Sequence, residues 1–539
     1  MTMLTKPTFT LTKLVKTNPI RQLLSLSIIM SFSAIVLAGC SQEGADAKNT
    51  SAENAAINKP NVIVFYVDDL GYGDLGVYGA KGVETPNVDA LAKNGIRFTD
   101  AHSYSATGTP SHYSLLTGEY GFRENVTLLK EDSELIIPSN KPTLAKLFKK
   151  AGYNTAVIGK WLLGLGDAKS DVNWNEKVLL GPAEVGFDYS FIIPGAVEKV
   201  PTIYLEDQYV VNVKAEDPIS ISLENKIGDR PTGAENPELL LQQADELHGG
   251  SIINGISRIG WMKGGADAEW KDDNFSQIFT NMADFYIEDN QETPFFLFFS
   301  FHDIHVPRMP NEMFKGKSSM GPRGDSIAQM DWITGQVVNK LKAKGLLDNT
   351  LIVFTSDNGP VLMDGYEDGA VKQLGNHKPA GDFRGGKYSA FEAGTRVPTI
   401  IHYPDKVKPG VSDALMSQVD LYASFADMLG IELGHHEAID SQNQLKAWFN
   451  SKSTGRTELL QESQTFSLRT QEWKYIAPSK KQVDWIKEEK NIESGVSPLP
   501  QLYNMLKDPA EQNDLAESET TEVKRYQERI ATIKARNQR

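Results

Sequence analysis

From Asn61 to Val67 the chain reads NVIVFYV, an almost unbroken apolar run closed by Asp68, Asp69 and a glycine-rich turn. A run of that length without alternation predicts a strand buried on both faces, as at the centre of a parallel sheet. The next segment, TPNVDALAKNGIRF at 85–98, switches to helical spacing. Thr85 stands as N-cap, Pro86 takes the first helical position, Val88, Leu91 and Ala92 form the apolar face, and Gly95 is the stop. Strand and helix alternate again at 143–157, at 295–301 and at 325–354, where a long amphipathic helix leads into LIVFTS. This repetition predicts an α/β fold: a large mixed, mostly parallel sheet with helices on both faces. Between 165 and 290 the pattern loosens into turns, which predicts a loop insertion over the open end of the sheet. Beyond 451, TFSLRTQEWKYIAP and LPQLYNMLKDPAEQNDLAE predict a small C-terminal antiparallel sheet with a helix. The expected division is a main α/β domain at 59–450 and an α+β subdomain at 451–539.

Composition adds a large core and a direction for partners. A chain of 539 residues, 40% of them apolar, has ample material for a packed interior. Its net charge of −15, with Lys and Arg scattered, argues against a nucleic-acid partner. An anionic substrate stays possible, because a few cations focused in a cleft outweigh surface charge screened over about 8 Å. The N-terminus reads as a targeting segment: Lys6, Lys13, Lys16 and Arg21 precede an apolar run from Leu23 to Val36, then Leu37, Ala38, Gly39 and Cys40. The run is shorter than the roughly 18 to 20 residues of a membrane-spanning helix. Its ending resembles a bacterial lipobox, so residues 1–40 are expected to be a lipoprotein signal and Cys40, the only cysteine, a lipid anchor to a membrane. Ser41 lacks the aspartate that retains bacterial lipoproteins at the inner membrane, which points to the outer membrane. Residues 41–58, rich in Ala, Asn, Ser and Glu, read as a flexible tether.

Candidate chemistry sits where strands end. Asp68 and Asp69 follow one predicted central strand; Asp357 and Asn358, in TSDNGP, follow another. In an open α/β sheet the carboxyl ends of the strands converge on the ligand crevice. Three carboxylates gathered there repel one another unless a cation lies among them. All-oxygen donors favour one divalent cation of the calcium or magnesium kind over zinc.

Several blocks, in order, resemble the sulfatase family: VIVFYVDDLGYGDLGVYG, TPNVDALAKNGIRF, GYNTAVIGKW, FFLFFSFHDIHVP, TSDNG, FRGGKYSAFEAGTRVP and LYNMLKDPAEQNDLA. The resemblance spans nearly everything from Asn58 to Leu515. It implies an alkaline-phosphatase-like fold, Asp68, Asp69, Asp357 and Asn358 as calcium ligands, and Lys160, His305 and Lys387 as groups that grip sulfate oxygens or protonate the leaving alcohol. A sulfate ester asks for such groups, since charge develops on its leaving oxygen. The implied substrate class is a sulfated oligo- or polysaccharide.

The segment ATGTPSHYSLLTG departs from the family's CxPSRxxxLTG signature at its reactive position. Gly108 stands where the formylglycine precursor, Cys or Ser, is expected, His112 replaces the arginine, and Leu162 in GKWLLG replaces the histidine of GKWHLG. All three departures fall on groups that serve the formylglycine, while the metal and anion residues are kept. The attacking group is therefore open: Thr107 or Thr109, a water activated by His112 or His305, or none. The leading expectation is a sulfuric ester hydrolase that does not use formylglycine. The alternatives are a non-catalytic receptor for sulfated glycans and a phosphoesterase of the same superfamily.

Overall fold

Every residue of β1 (Asn61–Val67) is buried, as its unbroken apolar run requires. It is followed by α1 (Pro86–Lys93), β2 (Ile96–Phe98), the wholly buried α2 (Gly108–Thr117), α3 (Leu144–Lys150) and β3 (Asn154–Lys160). Next come β4 (Tyr189–Ile193), β5 (Leu205–Glu206), β6 (Tyr209–Val210), α4 (Phe275–Asp289), β7 (Phe295–Ser300), α5 (Gly321–Ala343) and β8 (Thr350–Ser356). The main body closes with β9 (Thr399–His402), β10 (Gly410–Ser412) and α6 (Leu421–Met428). These elements come from a computed structural model that describes residues 59–126, 134–167, 169 and 171–539; the predicted signal, Cys40 and the tether lie outside the described residues.

Among the described residues the main sheet has ten strands in the order β10-β2-β9-β8-β1-β7-β3-β4-β5-β6. The central five, β8, β1, β7, β3 and β4, are mutually parallel, while β9 and β5 run antiparallel to their inner neighbours. The expected mixed, mostly parallel sheet is thus what forms. Alternate residues of β1 serve opposite layers, as the two-residue period of a strand demands. Val62, Val64 and Tyr66 pack with Leu115 and Leu116 of α2, Phe148 of α3 and Phe425 of α6. Ile63, Phe65 and Val67 pack with Leu91 of α1, Phe279 of α4 and Met330 of α5.

Two local readings change. The stretch 165–290, read as loops, supplies β4 to the parallel core and helix α4 to one face, and only the remainder is turn-rich. YSFII is too short and too closely bounded by turn residues to stand out alone; pairing with β3 makes it a strand. Thr85 does precede α1, but its hydroxyl accepts from Gly76 N–H and pairs with Asp89. The first turn of α1 is capped instead by Asp331 of α5, which accepts from the N–H groups of Asn87 (3.2 Å) and Val88 (2.8 Å).

The C-terminal segment forms an antiparallel sheet of β11 (Glu458–Glu462), β12 (Phe466–Thr470), β13 (Trp473–Ile476) and β14 (Gln501–Asn504), with α7 (Asp484–Lys490) before the last strand and α8 (Thr520–Ala535) after it. Leu460, Leu468, Tyr475 and Leu502 of this sheet bury Tyr526, Ile530 and Ile533 of α8. Residues Asn58–Arg539 form one compact unit. The two sheets are joined through buried charge. Glu392 receives Arg396 (3.0 Å), Arg469 of β12 (3.2 Å) and Lys474 of β13 (3.1 Å), and Asp100 receives Arg469 (3.2 Å) and His102 (2.9 Å). Among the described residues no helix is long and apolar enough to cross a membrane.

Removing one member of such a buried set leaves its partners charged and unpaired. Arg469→Leu is expected to lower unfolding free energy by about 3–5 kcal/mol in a denaturant titration. A loss below about 1 kcal/mol would show that the C-terminal sheet docks through its apolar contacts alone.

Candidate active site

The register of the parallel strands brings the candidate residues together. Val67 pairs with Ser356, Tyr66 with Ser300, and Ser300 with Gly159. The ends of β1, β8, β7 and β3 are therefore level, and the residues that follow them meet at one edge. Asp68 and Asp69 leave β1, Asp357 and Asn358 leave β8, His305 lies beyond β7, and Lys160 is the last residue of β3. All six are buried. Asp69 takes a left-handed backbone (φ 59°), a conformation that Asp tolerates better than most side chains, and its N–H donates to Asp357 Oδ1 at 3.1 Å.

Opposed charges pack tightly here. Lys160 Nζ donates to Asp68, and Lys387 Nζ donates to Asp69 (3.0 Å) and to Asp364 (3.1 Å). Burial opposes the charge on Lys160, but Asp68, Glu198 and Asp357 hold its ammonium above the ordinary lysine value. Burial, with repulsion from Asp69, pushes the Asp357 carboxyl up to about 6. Burial also pulls His305 well below its ordinary value, helped by Lys160 and Lys387 and opposed by Glu198 and Asp364. Its Nδ1 is hydrogen-bonded to the Val306 carbonyl (2.7 Å), which as acceptor makes Nδ1 the protonated nitrogen; Nε2 lies 3.9 Å from Asp69.

The donor set fits a divalent cation. Asp357 Oδ2 and Asn358 Oδ1 are buried oxygens without a hydrogen-bond partner, an arrangement that is costly unless something positive meets them. Asp68, Asp69 and His305 each offer a ligand atom, all within 4.8 Å of one another. Five carboxylates (Asp68, Asp69, Asp357, Glu198, Asp364) face four lysines (Lys160, Lys387, Lys490 and, beside Glu198, Lys199), which leaves a net negative site that suits a cation. The other acidic cluster with histidine among the described residues, Asp100, His102 and Glu392, differs: together with Glu511 it is already balanced by Arg396, Arg469 and Lys474.

Gly108 is the first residue of α2, so the helix N-terminus opens beside Asp357. A Cβ at Gly108 would stand 2.6 Å from Asp357 Oδ2 and 2.9 Å from Leu162 Cδ2. Leu162, itself left-handed at φ 58°, thus occupies space that a side chain at 108 would need. His112 lies one turn further along the same face of α2, fully buried, with Nε2 3.6 Å from Asp357 and its ring against Tyr66 and Phe298. Burial, then Lys160, pushes it down to about 3, so the imidazole is neutral. Thr107 does not face the carboxylates: its hydroxyl pairs with Ser105 Oγ at 3.1 Å. Thr109 is buried, with no hydroxyl contact to the acidic cluster among the described residues.

Three site residues escape the sequence reading. Glu198, in the loop after β4, is buried with Oε2 3.4 Å from His305 Nδ1. Its place beyond the end of a central strand is the signal that could have found it. Asp364 receives Lys387, the Tyr388 hydroxyl (3.0 Å) and Lys490 (3.0 Å). Neither Asp364 nor Lys490 carries a local signal, because each is defined by a partner distant in sequence.

Comparison with known proteins shows the family and the fold. The sequence model of the sulfatase family matches residues 60–431. The chain is 44% identical over 506 residues to an N-acetylgalactosamine-6-O-sulfatase of Bacteroides thetaiotaomicron, covering 93% of this chain and 97% of that protein. Human steryl-sulfatase is 31% identical over 423 residues, covering 73% and 70%. Among solved structures, a Bacteroides thetaiotaomicron sulfatase connected with metabolism of multiple glycosaminoglycans superposes with a TM-score of 0.86 at 45% identity, covering 89% of this chain and 100% of that one. A Pseudoalteromonas sulfatase gives 0.64 at 26% identity, covering 88% and 91%.

The cation fit has a thermodynamic consequence. Calcium at about 100 times its Kd is expected to stabilise the fold by about 2.7 kcal/mol, seen as a thermal midpoint that rises with the logarithm of calcium and falls back in EDTA. Asp357→Ala should lose that response; equal midpoints in calcium and EDTA for the parent protein would remove the cation from the site. The packing around Gly108 is tested by coupling: Gly108→Ala should destabilise by about 1–3 kcal/mol through overpacking, and Leu162→Ala in the same chain should relieve at least about 0.5 kcal/mol of it. Strict additivity of the two changes would mean that Leu162 does not fill the position.

Proposed function

The chain belongs to the sulfatase family, and from that premise we propose that it is a sulfuric ester hydrolase acting on sulfated carbohydrate without formylglycine. The observation that carries this reading is the retained acidic and lysine cluster at the level ends of the parallel strands, beside a helix N-terminus with no side chain to oxidise. The 44% identity to a sulfatase of 6-O-sulfated N-acetylgalactosamine supports a glycosaminoglycan-type sugar sulfate as substrate.

In this reading Asp68, Asp69, Asp357 and Asn358 hold one calcium ion, whose chemistry is to draw negative charge from the sulfuryl oxygens. Lys160 and Lys387 hold the sulfuryl group by their ammonium charges. A water at the N-terminal end of α2 attacks sulfur, passing its proton to His112, one turn along the same helix face. The S–O bond to the sugar breaks on the opposite side, and His305 gives a proton to the departing alkoxide. Entry of an anionic ester favours the protonated His305 that this step needs. The pairing of Thr107 with Ser105 favours water over a threonine as the attacking group. The lipobox-like ending at Cys40 supports a lipid-anchored protein at the outer membrane, facing sulfated polysaccharide.

A second reading draws on Leu162. A leucine filling the space over Gly108 suits a receptor that binds sulfated glycan without turning it over. Sulfate release decides between the two. Purified protein with calcium is expected to release sulfate from N-acetylgalactosamine 6-sulfate or a related sugar sulfate and no phosphate from phosphate esters. Lys387→Ala should lower kcat by at least about 100-fold. Glycan binding with no sulfate released across a panel of sugar sulfates would establish the receptor instead.

A further inference from the structure

Lys387 is held from two sides, and the carboxylate on one side is shared with the C-terminal segment. Its Nζ lies between Asp69 (3.0 Å) and Asp364 (3.1 Å). Asp69 is committed to the acidic cluster, which leaves Asp364 as the anchor particular to Lys387. Asp364 uses its two oxygens for different partners: Oδ2 takes Lys387 and the Tyr388 hydroxyl, and Oδ1 takes Lys490. Both side chains of the Lys490–Asp364 pair are only 9% exposed, so bulk water screens it little.

The backbone fixes that geometry. Lys490 is the last residue of α7, where the helix dipole favours a cation. Asn491 turns the chain through a left-handed conformation (φ 54°), and the segment then runs beside 386–391. Ser389 Oγ donates to the Glu493 carbonyl (2.6 Å), and Ala390 N–H donates to the Ser494 carbonyl (2.8 Å). Tyr388 occupies the left-handed region at φ 71°, rare for an aromatic residue, while its N–H donates to the Ala106 carbonyl at 2.8 Å. Strain at Tyr388 is therefore borne by contacts on both sides, one of which leads to the start of α2.

Resting on the hydrolase reading above for the identity of the anion, we propose that Lys490 is a positioning residue for Lys387, acting through Asp364 to keep the Lys387 charge available to a bound sulfuryl group. With Lys490 in place, Asp364 divides its charge between two ammonium groups. Without it, the whole carboxylate charge falls on Lys387, and the field that draws an anion into the site weakens by one unit. The C-terminal segment is thereby part of the anion site, although its closest approach to the acidic cluster runs through Asp364.

Inorganic sulfate binding, measured by calorimetry in calcium buffer, tests this apart from turnover. Lys490→Gln is expected to weaken sulfate binding about tenfold, and Lys490→Arg to stay within about twofold of the parent. In an Asp364→Asn background the Lys490→Gln effect should fall below about twofold, because the group it acts through has lost its charge. A packing role would give the same loss in both backgrounds. Unchanged affinity in Lys490→Gln, a loss that persists with Asp364→Asn, or no rescue by Lys490→Arg would each overturn the proposal. If the expected affinities are found but the parent protein hydrolyses no sulfate ester, the hydrolase reading falls and the role of Lys490 stands.

Discussion

Charge compensation at the carboxyl edge of the sheet is the constraint to which the rest of the molecule answers. Level strand ends place Asp68, Asp69 and Asp357 in one buried volume, and the loops add Glu198 and Asp364. Buried carboxylates are costly unless paired. Lys160 and Lys387 meet part of the demand, and the unpartnered Asp357 Oδ2 and Asn358 Oδ1 mark where the rest lies. The strands, the long register of β1 with β8 and the turn at Asp69 are means of holding that arrangement against its own repulsion.

The second buried cluster shows what a balanced version looks like. Asp100, His102, Glu392 and Glu511 are matched by Arg396, Arg469 and Lys474, with hydrogen-bonded contacts between them and arginines drawn from both the main body and β12. Such a set joins two sheets and has no charge left over. The contrast separates structure from function by charge: similar residues, equally buried, are balanced in one place and short of positive charge in the other.

What was legible in the sequence was legible for physical reasons. Unbroken apolar runs fix central strands, and oxygen-bearing residues directly after them fall at the crevice of any parallel sheet, so Asp68, Asp69, Asp357 and Asn358 could be placed before any contact was known. Lys160 and Lys387 stand out only through resemblance, since an isolated lysine carries no positional signal. Glu198, Asp364 and Lys490 carry no such mark because their roles are made by long-range pairing. The same holds for α1, whose first turn is capped by Asp331 from another helix rather than by the adjacent Thr85. Residues 189–193 became a strand through β3, not through their own pattern.

Gly108, Leu162 and His112 are best understood as one adaptation rather than three losses. A side chain at 108 would have to enter between Asp357 and Leu162, both within 3 Å of its Cβ. Leu162 keeps an unfavourable left-handed backbone while covering that space, which is a poor solution if the position were meant to carry a larger group. His112, one turn along α2, is neutral and buried against Tyr66, 3.6 Å from Asp357. The glycine and the leucine make each other tolerable, since a Cβ at 108 would stand 2.9 Å from Leu162 Cδ2. The acidic cluster beside them imposes the remaining condition, since Asp357 Oδ2, unpartnered and suited to a cation, lies 3.6 Å from His112 and 2.6 Å from where a Cβ at 108 would stand. On the proposed hydrolase reading, the chemistry that survives is that of an anion site whose attacking group comes from outside the chain.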